Sequence, residues 1–121
     1  MLNKSKIVAT IQSVVASPAI GEYKHGITAN PTQRRKSYFN VGFEHFVVLE
    51  ADLNAEQALK LEEDLFQALT KDPAVRRTVL YRKYDNISRD KAHTPMSLGG
   101  KVVGSGGTYS LYIVWWNKHH E

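Results

Sequence analysis

Glu62 is the residue whose type and position most invite chemistry. It lies three residues from Leu59 and Leu65 and four from Ala58 and Phe66, inside the apolar stripe of an amphipathic helix. A carboxylate placed there must be desolvated, paired or metal-bound, because an isolated buried charge is costly. The ordinary alternative is a glutamate at the edge of the stripe that reaches solvent or pairs with an arginine. Glu63 and Asp64 fall progressively outside the stripe and read as solvated face. The cations gather in two stretches, Arg34, Arg35 and Lys36, then Arg76, Arg77, Arg82, Lys83, Arg89 and Lys91. With a formal charge of +4 and a pI near 9.4, such clusters favour a polyanionic partner, since each cation placed on a phosphate releases a counterion. Two ordinary solvated faces would produce the same pattern.

The remaining candidates are weaker. His25 and His45 alternate with apolar neighbours in strand-like segments, where a structural histidine is commoner than a catalytic one. His93, His119 and His120 lack the spacing of a zinc site, and the absence of cysteine excludes disulfides and thiolate metal sites. The glycine-rich MSLGGKVVGSGG has neither the lysine-serine ending of a phosphate-binding loop nor a helix after it. Trp115 and Trp116 could stack on bases, or belong to a core or subunit-contact strand.

These residues need a scaffold, and 121 residues suffice for one packed domain, 1–121, but not for two. No run of about 18 apolar residues could span a bilayer, so no membrane partner is expected. The start, MLNKSKIVATIQ, lacks the apolar core of a secretory signal, which makes the cytoplasm the expected location. Residues 6–15, rich in β-branched side chains, predict a first strand, and residues 21–28 a second that forms an antiparallel hairpin with it. Asn30 can cap a helix that opens at Pro31 and runs to about Tyr38. Residues 42–51 predict a third strand, largely apolar at its centre and therefore the central one. Asn54 with Gln57 forms a capping box for a helix to about Thr70. The segment after Asp72-Pro73 fits a short helix, or a strand in its second half, and residues 85–107 predict a long loop or flap. TYSLYIVWW should add a last strand. The fold class is α/β (α+β): a small, mainly antiparallel three-stranded central sheet flanked by helices, with an added C-terminal strand.

GITANPTQRRKSYF after a strand, followed by a further strand and then ALKLEEDLF on a helix, resembles the GIY-YIG endonuclease superfamily over residues 21–69. The resemblance implies a role for each matching position. Gly26 matches the glycine of the second half-motif, Arg34 the essential arginine, Tyr38 the aromatic or histidine one turn later, and Glu62 the metal ligand. Asn86 resembles the asparagine that follows the glutamate helix, at a longer separation than usual. The first half-motif has no counterpart: Ala9, Thr10, Ile11 and Gln12 stand where a glycine and a tyrosine would be. In the second, Tyr23 is displaced by one residue, onto the other strand face, which leaves Lys24 in the tyrosine slot.

The activity implied is metal-dependent hydrolysis of DNA. Glu62 would hold Mg2+ or Mn2+, Arg34 would contact the scissile phosphate, Tyr38 would orient it, and His25, Lys24 or Tyr23 would serve proton transfer. Arg35, Lys36, Arg76, Arg77 and Asn86 would bind the nucleic acid. Two other readings stay open. One is a nucleic-acid-binding module that kept the arginine and glutamate without the tyrosines; the other is a phage or mobile-element accessory protein, a homodimer or a partner-binding chain acting through the last strand. A nuclease requires Glu62, Arg34 and a strand-borne base to converge on one cleft. A binding module requires a continuous basic surface, and a protein-binding role an exposed apolar patch around Trp115 and Trp116.

Overall fold

Ile7, Ile11 and Val15 recur every fourth residue, and all three are buried along one side of a helix, α1 (Lys4–Val15). The structure, a computed structural model, describes residues 4–85 and 108–117. The strand expected at 6–15 is therefore a helix. Helical spacing of the apolar residues outweighs the β-preference of the branched ones once a core is there to receive them. The hydroxyls of Thr10 and Ser13 donate to the carbonyls of Lys6 and Ala9 one turn back, both at 3.0 Å. The far end of α1 is closed from a distance, since Lys83 Nζ donates to the carbonyls of Val15 (2.8 Å) and Ser17 (2.9 Å).

Three strands follow: β1 (Ile20–Thr28), β2 (His45–Leu53) and β3 (Tyr109–Asn117), in the spatial order β1-β3-β2 and antiparallel throughout. The last strand in sequence is thus the central one. It is added not at the margin of a finished sheet but between two strands that otherwise do not pair. The strand expected over residues 42–51 at the centre runs over 45–53 and forms an edge instead, with Val47 and Val48 exposed. The apolar run that does occupy the centre is Tyr109–Val114, buried throughout. At its far end β2 slips register between Val48 and Leu53, and Asp52 takes a positive φ of 60°. That irregularity shortens the regular edge open to another strand.

The helices fall on both faces of this sheet. α3 (Ala55–Phe66) carries the expected capping box, in which Gln57 N–H donates to Asn54 Oδ1 at 2.8 Å and Asn54 N–H to Gln57 Oε1 at 3.0 Å. It continues as a π-helical turn over Gln67–Lys71. A 3-10 turn (Pro73–Val75) and a short helix α4 (Val79–Arg82) follow. Tyr84 then makes one parallel bridge to Tyr23 on the outer edge of β1, so this segment is a helix that ends in strand-like pairing. α1, α3 and α4 close the main core over Tyr23, Ile27, Leu111 and Ile113. α2 (Pro31–Asn40), capped by Asn30, covers the other face, where Phe43, Tyr112 and Val114 pack with Tyr38, Phe46 and Trp116. Among the described residues, no helix is long and apolar enough to cross a membrane.

Candidate functional site

Alternation along β1 sorts the candidate residues between these two faces. Tyr23, His25 and Ile27 point toward α1, α3 and α4, whereas Lys24, Gly26 and Thr28 point toward α2. The displaced Tyr23 does lie on the opposite face from Lys24, as the one-residue shift demands. It is fully buried, and its hydroxyl donates to the Leu80 carbonyl at 2.7 Å. Burial, with Tyr84 close by, pushes its phenol well above the ordinary value, which makes it a neutral structural donor.

His25 is tied on both sides. Its Nε2 lies 3.1 Å from the Glu62 main-chain carbonyl and its Nδ1 2.8 Å from the Tyr84 hydroxyl. A carbonyl can only accept, so in the neutral ring Nε2 carries the proton and Nδ1 accepts from Tyr84. The Tyr84 phenol is pushed up, chiefly by burial and further by the Glu62 charge, against the lowering effect of its bond with His25. Glu62 is 9% exposed, as its place in the stripe predicts. Its main chain and its field thus belong to the His25 face.

Arg34, Tyr38 and Lys24 assemble on the α2 face. Arg34 and Tyr38 are one helical turn apart, both half-buried and directed at the sheet. There they meet a residue that sequence reading did not single out, Tyr112 at the centre of β3. The Tyr112 hydroxyl lies 3.0 Å from that of Tyr38 and accepts a long hydrogen bond, 3.4 Å, from the Arg34 guanidinium. Lys24 Nζ sits 5.2 Å from the centre of the Tyr38 ring and 5.4 Å from that of Phe43, with its side chain 26% exposed and Asp85 3.9 Å away.

Gly26 makes this arrangement possible. It stands opposite Tyr112 in the β1–β3 register, and a Cβ there would lie 2.7 Å from Tyr112 Cζ and closer still to its hydroxyl. Only glycine lets the phenol cross over β1 to Arg34. Burial raises the Tyr112 pKa well above the ordinary value, helped by Tyr38 and opposed by Arg34. Near neutral pH Tyr112 is therefore a hydrogen-bond donor and not a base. If it accepts from Arg34 and donates to Tyr38, the Tyr38 hydroxyl is left to donate outward. A guanidinium, an ammonium and two phenols thus face one place, and among the described residues the hydrogen-bonding partner of Arg34 is a neutral phenol.

No family model matches this chain, nor does any curated protein or solved structure.

The other candidates are dispersed. Arg35 and Lys36 are exposed on α2. Arg76 and Arg77 are exposed on the segment that leads into α4, Arg76 lying over the Tyr81 ring at 5.3 Å, so among the described residues these two cations sit on the layer opposite α2; Arg89 and Lys91 lie outside the described residues. Lys83, counted with the second stretch, is the α1 cap. Asn86, His93, most of the 85–107 loop, His119 and His120 lie outside the described residues. Trp115 and Trp116 point to opposite faces, each against an aromatic neighbour, His45 at 5.2 Å and Phe43 at 4.1 Å, so they do not make one exposed patch. A signal for Tyr112 did exist, the tyrosine in SLYIVWW, but its value depends on a strand order that sequence does not display.

Proposed function

We propose that this chain is a nucleic-acid-binding module whose α2 face takes a backbone phosphate on Arg34, Lys24 and the Tyr38–Tyr112 hydroxyls. One observation carries the reading: a half-buried guanidinium whose hydrogen bond goes to a neutral hydroxyl instead of a carboxylate. Within a protein such a cation favours an anion with acceptor oxygens, and a phosphodiester supplies two in the plane a guanidinium recognises. Arg35 and Lys36, on the same helix, extend the positive charge along a polyanion.

A nuclease of the GIY-YIG type is the second reading, and Tyr112 favours it. The tyrosine expected on the strand antiparallel to the half-motif strand is absent from residues 6–15, yet β3 is that antiparallel strand and brings Tyr112 opposite Gly26. The donor set fits Mg2+ or Mn2+ poorly. Among the described residues no three histidine or carboxylate groups converge, and Glu62 is fastened to the face that carries His25, while Arg34, on α2, meets Tyr112 on the opposite face.

Fluorescence anisotropy with labelled DNA tests the main reading. Arg34→Gln should weaken binding by roughly tenfold or more, the range for a charge-assisted hydrogen bond, and flatten the salt dependence. Equal affinity in wild type and variant would end it. Cleavage of plasmid in Mg2+ or Mn2+ that Glu62→Gln abolishes would establish the nuclease instead.

A further inference from the structure

Phe39 is 66% exposed at the end of α2, and the aromatic cluster beneath it is complete without it, being built from Tyr38, Phe43, Phe46, Tyr112 and Trp116. It stands one helical turn after Arg35, so an exposed cation and an exposed ring share one stripe of the helix, beside the stripe that holds Arg34 and Tyr38. α2 carries three cations, Arg34, Arg35 and Lys36, and no acid. A phosphate backbone held on Arg34 and Arg35 would pass within one helical turn of Phe39. A base offers its flat face to a side chain only where it is unpaired, because in a duplex both faces are covered by neighbours.

Resting on the phosphate-binding reading above, we infer that Phe39 is a stacking platform for an unpaired base, so that the occupant of this face is a single-stranded polynucleotide. The alternative occupant, a second copy covering Phe39 and the neighbouring exposed Val41, meets an electrostatic obstacle. A two-fold contact through α2 would set the same three cations against one another.

The test measures binding of a dT oligomer, an rU oligomer and a matched DNA duplex to the full chain and to Phe39→Ala, Phe39→Trp and Arg34→Gln, with the mass of each protein in solution. The expected result is preference for single strands, lost by about fivefold or more in Phe39→Ala, kept in Phe39→Trp, and unchanged for the duplex. Arg34→Gln should weaken single strand and duplex alike. Duplex preference, or a Phe39→Ala that binds single strands as the wild type does, overturns the stacking inference while leaving phosphate binding intact. Failure to bind any of the three overturns both, and a dimer that Phe39→Ala converts to monomer assigns the face to a second copy.

Discussion

The two faces of the β-sheet are built from the same three strands and yet differ in kind. Toward α1, α3 and α4 the strands present Tyr23, Ile27, Leu111 and Ile113, and three helices seal them. Three polar groups on that side, the Tyr23 and Tyr84 hydroxyls and the His25 ring, find hydrogen-bond partners inside the protein. Toward α2 the strands present Lys24, Gly26, Tyr112 and Trp116 under a single helix. There the Arg34 guanidinium and the Tyr38 and Tyr112 phenols lean on one another, and the Lys24 ammonium sits over the Tyr38 ring with Asp85 3.9 Å away. Burial on one face is spent on stability, on the other on holding charged donors in place, so a side chain's face predicts what its removal does.

Neighbouring positions on one strand can break that contrast. Ile113→Ala, on the sealed face at the centre of β3, should destabilise by about 2–5 kcal/mol, read as a lower denaturant midpoint, with little effect on nucleic acid beyond the unfolded fraction. Gly26→Ala should cost about 1–3 kcal/mol, because the new methyl meets the Tyr112 ring, and should also weaken binding by displacing that ring. In a Tyr112→Leu background the penalty should shrink, with a coupling of about 0.5–3 kcal/mol in a double-mutant cycle; an unchanged penalty would separate Gly26 from Tyr112. Both faces should make the protein sensitive to alkali. Tyr23, Tyr84 and Tyr112 have folded-state pKa values raised above the unfolded value of about 10. Their contribution is fully present below that pH and falls as pH rises above it, since the unfolded chain ionises first. Unfolding followed from pH 8 to 11 should lose stability only above about pH 10, and Tyr112→Phe should reduce the slope. The smallest effect on stability belongs to Arg34→Gln, about 0.5–1.5 kcal/mol, the range for losing one long hydrogen bond, despite its large effect on binding.

Local rules made much of this legible. Asn30 and Asn54 announced their helices through cap chemistry, and Glu62 announced its burial through the spacing of the leucines around it. Residues 6–15 misled because their composition is β-branched while their spacing is helical; Ile7, Ile11 and Val15 decide the matter only once a core exists to bury them. Residues 42–51 misled for the opposite reason, their apolar centre belonging to an edge strand, 45–53, with Val47 and Val48 exposed. The candidate site was half legible. Arg34, Tyr38 and Gly26 are close in sequence, but their partner Tyr112 lies far along the chain and reaches them only through the β1-β3-β2 order. Strand order is a property of the whole chain, and no window of sequence contains it.

That order also dictates when the sheet can exist. β1 and β2 have no ladder with each other; each forms its ladder with β3, and β1 adds one bridge to Tyr84 on its outer edge. As the chain emerges from the ribosome, two strands wait with unpaired edges until residues 109–117 arrive to join them. The helical layer can gather early from contacts near in sequence, while the sheet forms late in a single step that closes two long loops at once. Chains halted short of residue 109 would therefore lack the entire sheet and expose the edges of both outer strands, the kind of species that aggregates or calls on chaperones.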